Sequence, residues 1–213
     1  MNLVTFLILA PPILLALVIH EFSHALIAYK LGDDTAKLSG RLTLNPLAHL
    51  DPLGTLMIFL VRFGWAKPVP VNPYNLKNPK RDMLWISAAG PMSNMILAFL
   101  SGSLLRVVYN MGIKPEIATF GGLIMLMLVF SLQINLALAI FNILPIAPLD
   151  GSKILYGVLP NKYSGYAVLL EKYGPMILLG LIALGYFAKI SILGWIIWPF
   201  VQFFSKLFTG LQF

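Results

Sequence analysis

Between residues 1 and 28 the chain carries ionisable side chains at His20, Glu21 and His24 alone, inside the stretch VIHEFSHALIAYKLG from Val18 to Gly32. On a helix, positions i and i+4 share one face a turn apart. Both imidazoles can then reach a single zinc ion while Glu21 approaches a water bound to it. The chemistry this suits is hydrolysis, because zinc draws the pKa of its water down towards about 7 and a neighbouring carboxylate can take the proton. The plainer alternative, three unrelated polar residues in a packed bundle, conflicts with the cost of ionisable groups in an apolar helix.

Catalytic zinc takes a third protein ligand and keeps a position open for water. There is no cysteine, which excludes disulfides, thiolate zinc sites, iron–sulfur clusters and thiol catalysis and leaves His, Asp or Glu. Asp33, Asp34, Asp51 and Asp82 lie in a basic connection, Glu116 in a short loop and Glu171 in the last polar loop. Asp150 alone directly ends an apolar segment, so it is expected to arrive from the bundle on the same side as His20 and His24. It is the best third ligand by elimination. His49, in NPLAHLDP, is the second choice, against a loop-orienting hydrogen bond or an ordinary surface position.

These residues must be positioned by membrane-spanning helices. Of the 213 residues, 59% are hydrophobic and 11% charged, with mean hydropathy +0.85, against about 25% charged in soluble domains. The expected fold is an all-α polytopic membrane protein with four to five transmembrane helices, as one membrane-embedded domain over residues 1–213, with its core at about 13–160. The uncharged N-terminal stretch lacks the basic region and small-residue cleavage site of a signal peptide, so it reads as a retained helix. A first span is predicted over Ile13 to Lys30, with a kink or restart at Pro11-Pro12. Met83 to Val108 and Ala118 to Leu149 read as the next two. The apolar segment 173–213 is one tilted span or two short ones split at Lys189 and Ser191. Residues 31–82 form a long Pro-, Gly- and Asn-rich connection whose apolar run DPLGTLMIFLVRFGW fits a re-entrant or interfacial element.

The net charge of +7 is spread between apolar runs, which points to topology signals and anionic lipid rather than to nucleic acid. Eight of the 15 basic residues lie in the 30–82 connection. The positive-inside rule therefore puts that connection in the cytoplasm and the N-terminus outside. His24 and His20 then sit about 9 and 15 Å along the helix from Lys30, below the cytoplasmic surface.

Three ordered motifs carry a resemblance: HExxH, then GPMSN (Gly90 to Asn94), then NILPIAPLDG (Asn142 to Gly151). Together they resemble the signatures of the site-2 protease family, the intramembrane zinc metalloproteases of peptidase family M50. GRLTLNPLAHLDPLGT and GWAKPVPVNP are similar to stretches between the first two motifs in its short bacterial and archaeal members. The resemblance covers about residues 13 to 160 and implies a membrane enzyme that cuts a transmembrane protein substrate. It implies that His20, His24 and Asp150 bind one zinc ion and that Glu21 is the general base and acid. Asn94 would lie near the site as an oxyanion or substrate-binding group, and Asn142 would have a positioning role. The PDZ or CBS domains frequent in the family are not seen, nor is a span before the HExxH helix.

A helical substrate must unwind before attack, and KLSGRLTL (37–44) and WAKPVPV (65–71) alternate in a way that could supply a strand edge for it; a loop packed on the membrane surface is the alternative. Gly90-Pro91 could simply kink a helix, with Ser93 satisfying freed groups, and Asn135 reads as interhelical glue. The competing functions are metal or ion transport and an inactive scaffold. Glu21 argues against both, since neither needs a carboxylate placed to activate water. The oligomeric state is open.

Overall fold

The computed structural model of the protein describes residues 3–54, 57 and 64–211. Among the described residues, five helices are long and apolar enough to cross a membrane. Helix α1 (Leu3–Lys30) is a single helix that contains Pro11 and Pro12, so the predicted restart there does not occur and the first span is longer than expected. Two single turns follow, α2 (Thr35–Leu38) and α3 (Pro46–His49). Helix α4 (Pro79–Asn110) has proline at its first position, where the missing N–H costs nothing. At 32 residues it is about 48 Å long, more than a bilayer core requires.

Helix α5 (Phe120–Ile143) starts where the Thr119 side chain accepts the Gly122 N–H at 3.1 Å. It ends before Pro145, which cannot continue it. The third span is thus shorter than the predicted Ala118 to Leu149, and Asp150 does not end it. Asp150 opens a separate short helix, α6 (Asp150–Val158). The C-terminal apolar segment is split in two, α7 (Ser164–Phe187) and α8 (Ile192–Thr209). The break falls where Lys189 adopts φ 56° and the Ser191 side chain caps α8.

Helix α4 is the hub: it packs against α1, α5, α6 and α8. Ala98, Leu105, Met125, Leu132, Leu136 and Val201 form the buried core shared by α4, α5 and α8. Alanines on α1, α4 and α5 are fully buried (Ala16, Ala25, Ala28, Ala98, Ala139), the small-residue contact that lets helices approach closely in lipid. Among the described residues, helix α7 packs against its neighbours α6 and α8, the helical turn at Asn161–Tyr163, and, through Gly174, Ala147 in the connection before α6.

The expected strand edges do not form among the described residues. KLSGRLTL is taken up by α2 and by Gly40, whose φ of 68° turns the chain. WAKPVPV is extended but makes only one isolated antiparallel bridge, Ala66 to Leu50, because Pro68 and Pro70 have no N–H for a ladder. The re-entrant element expected in DPLGTLMIFLVRFGW lies largely outside the described residues.

Candidate metal centre and its cavity

Helix periodicity brings His20 and His24 to one face of α1, their Nε2 atoms 3.1 Å apart. The first turn of α6 adds Asp150, whose Oδ2 lies 3.1 Å from His20 Nε2 and 3.3 Å from His24 Nε2. These three are the one potential metal-holding group of His, Asp or Glu among the described residues. Gly151 makes the approach of α6 possible: a Cβ there would overlap the carbonyl oxygens of Ile143 and Leu144 at the end of α5. The glycine is needed for contact at a helix start, not as the helix stop its position after an apolar run suggests.

The other ring nitrogens fix the tautomers. His20 Nδ1 is 2.6 Å from Asn94 Oδ1, and His24 Nδ1 is 2.6 Å from the Ile86 carbonyl oxygen. Both partners only accept, so each Nδ1 carries the hydrogen and each neutral imidazole presents a bare Nε2 lone pair. Two lone pairs and a carboxylate oxygen therefore converge with no proton of their own between them. A proton or a cation must sit among them, and a His/His/Asp donor set in this tautomer suits zinc. A second observation agrees. A Cβ at Gly90 of α4 would lie 2.5 Å from His24 Nε2 and 2.6 Å from His20 Nε2. The space that both donor atoms face is open because residue 90 has no side chain.

Asn94 is fully buried and connects the site to the bundle. Its Nδ2 donates to the Ala16 carbonyl at 3.2 Å and to Asn135 Oδ1 at 2.8 Å. Both amide hydrogens are thus committed, and the only group turned to the site is the oxygen that accepts from His20. In this arrangement Asn94 holds a histidine and has no donor left for an oxyanion. Asn135 continues the chain by donating to the Ser131 carbonyl at 2.8 Å. It is glue, as expected, but glue two hydrogen bonds from His20.

Glu21 lies about 100° round α1 from His20, and its Oε2 accepts the Val69 main-chain N–H at 3.1 Å. Glu21, the metal-holding group and Asn142 all line one cavity of about 840 Å³, within the usual size range of ligand sites. Its walls are mostly apolar, with Trp65, Pro68, Phe141, Leu149, Leu178 and Ile197 among them. Asn142 donates one amide hydrogen to the Leu138 carbonyl at 3.0 Å and makes no other hydrogen bond among the described residues. Its second hydrogen and its oxygen remain available in the cavity. His49 lies apart from the cluster: its ring Nε2 is 2.7 Å from the Thr43 carbonyl, and it is 1% exposed.

Sequence reasoning missed three contributors. Gly90 shapes the site by absence, and the Ile86 carbonyl and Val69 amide act through backbone that any residue type supplies. Only Gly90, within GPMSN, left a trace in residue types.

Several known proteins have similar sequences. The model of Peptidase family M50 matches residues 8–173. YwhC of Bacillus subtilis, provisionally named a zinc metalloprotease, is 39% identical over 208 residues, which is 93% of this chain and 91% of that one. Rip2 of Mycobacterium tuberculosis, given the same provisional description, is 31% identical over 144 residues, 65% of this chain and 52% of its own. MJ0611 of Methanocaldococcus jannaschii, likewise described, is 41% identical over 70 residues, 33% of this chain and 31% of its own. No solved structure matches the chain at a significant level. Since the family model spans the cluster from His20 to Asp150 and one relative matches nearly end to end, the chain belongs to peptidase family M50, the site-2 protease family.

Proposed function

We propose that this chain is a zinc metalloprotease that hydrolyses a peptide bond within, or at the edge of, the transmembrane segment of a membrane protein substrate, as in regulated intramembrane proteolysis. The observation that carries the reading is the convergence of His20 Nε2, His24 Nε2 and Asp150 Oδ2 beside Glu21 on the wall of an apolar cavity. Zinc held there would supply Lewis acidity towards a carbonyl oxygen and a water of lowered pKa. Glu21 removes the proton from the attacking water and returns it to the leaving amine. The Val69 N–H occupies one carboxylate oxygen and leaves the other for that exchange. The second Asn142 N–H is one side-chain donor in the cavity available to a substrate carbonyl. The apolar walls suit a hydrophobic, locally unwound substrate segment, and the basic connection puts the site towards the cytoplasm, with the N-terminus outside.

The test is cleavage of a single-span model substrate by the purified protein in detergent, alongside metal analysis. Chelator-sensitive cleavage that is lost in Glu21→Gln while zinc stays bound supports the reading. Cleavage that survives Glu21→Gln refutes the assigned base. Bound zinc without cleavage of any substrate favours transport or a scaffold.

A further inference from the structure

The stretches GRLTLNPLAHLDPLGT and GWAKPVPVNP have no part in the metal-holding group, yet they meet beside Glu21. The extended segment 66–72 is tied down at successive points. The Lys67 N–H donates to the His49 carbonyl at 2.9 Å, and the Lys67 carbonyl accepts from the Arg41 guanidinium. The Asn72 N–H donates to Asp33 Oδ2 at 2.8 Å. Val71 and Leu76 pack against Ala28 and Ile86, under the same end of α1. Between the polar ties lies Val69. Pro68 and Pro70 carry no N–H, so Val69 offers the only main-chain donor from 68 to 70, and that donor goes to Glu21.

Asp33 and Arg41 are not placed like ordinary loop residues. Asp33 is fully buried at the end of α1. Besides Asn72 it accepts from the Thr35 N–H at 3.1 Å, the Thr35 hydroxyl at 2.5 Å and Asn75 Nδ2 at 2.8 Å. Arg41 is 6% exposed, its Nε has no partner, and no carboxylate pairs with it among the described residues. A guanidinium buried against a single carbonyl is a poor way to gain stability. It is a good way to fix one carbonyl, because the planar fork is pre-organised.

We propose that Asp33 and Arg41 are positioning residues for the reaction: they pin the 66–72 strap from its two ends so that the Val69 amide holds the Glu21 carboxylate in place. Neither touches substrate or metal, and His49 belongs to the same device through its main-chain oxygen. This rests on the proteolytic role of Glu21 given above. One arm of the test is therefore independent of catalysis.

The experiment uses the full chain in detergent with zinc bound, and compares Arg41→Ala, Arg41→Lys, Asp33→Asn and the milder Asn75→Ala. Hydrogen exchange is read on the peptide covering 66–72 and on the peptides of α1. In Arg41→Ala and Asp33→Asn the strap amides should exchange about tenfold faster while α1 is unchanged, since opening is local. Zinc content should hold. Against the model substrate, kcat should fall about tenfold or more with KM within about twofold, the signature of a misplaced group rather than weakened binding. Arg41→Lys should recover only part of the loss, since an ammonium lacks the planar fork, and Asn75→Ala should lose about threefold. Unchanged kcat with a deprotected strap overturns the proposal, and so does a rise in KM alone. Exchange that rises in α1 together with the strap, in Asn75→Ala as well as the stronger variants, assigns these residues to stability only and also overturns it. Glu21→Ala is read by exchange alone: faster strap exchange supports the contact, and unchanged exchange overturns it even if the protein cleaves nothing.

Discussion

The two sides of the catalytic cluster are held by different means. On the bundle side, His20 leans on Asn94, Asn94 on Asn135 and Asn135 on Ser131, a chain of side-chain hydrogen bonds crossing from α1 through α4 to α5. On the other side the hydrogen bond that Glu21 makes among the described residues is to backbone, in a strap fastened by loop residues. Buried networks inside packed helices are rigid and costly to leave half-satisfied. An extended segment outside the helices opens more easily. On the proposed reading, metal retention falls to the helical side and placement of the base to the strap, so damage to each should read out differently.

The largest effect is expected at Gly90. In Gly90→Ala the new methyl would enter the space that both Nε2 atoms face; zinc occupancy should fall at least about tenfold, with cleavage abolished, as metal analysis and kinetics would show. Next comes Asn142→Ala, which removes the free donor in the cavity. About a hundredfold loss of kcat with zinc content unchanged is expected, and a loss confined to KM would contradict the oxyanion-side role. In Asn94→Ala the His20 N–H loses its acceptor, so competition with a chelator should show zinc affinity down by about ten- to a hundredfold. If Asn94→Ala instead left affinity intact and lowered only kcat, Asn94 would be on the substrate side after all.

The smallest effect concerns pH and the strap. Burial pushes the Asp33 carboxyl up, but donors from Thr35, Asn75 and Asn72 outweigh it and hold it below the usual range. Its stabilising contribution is complete above the unfolded aspartate value of about 3.9 and is lost as pH falls through the lower folded value. Strap protection, corrected for intrinsic exchange, should therefore be flat from neutral pH to about 4 and decline only below it. A decline beginning near pH 6 would point to another group.

What could be read in the residues tracks the same contrast. HExxH was legible because the helical period alone brings His20 and His24 together. Asp150 was legible by elimination, although it begins a helix instead of ending one, since Pro145 stops α5 early. The residues left the C-terminal segment open between one span and two, and the split falls at Lys189 and Ser191. Asn94 was placed near the site, but which end of its amide faces His20 depends on acceptors supplied by Ala16 and Asn135, distant in the chain. The role of Val69 was illegible because a main-chain N–H leaves no mark in residue type. The alternation in KLSGRLTL and WAKPVPV suggested strands, yet Gly40 and two prolines decided otherwise.

The central claim is that Asp150 completes the zinc site with His20 and His24, and it is tested most directly by zinc stoichiometry of the purified wild type, Asp150→Ala and His49→Ala. The account predicts near one zinc per chain in the wild type and in His49→Ala, and clear loss in Asp150→Ala. Zinc retained in Asp150→Ala but lost in His49→Ala would contradict it.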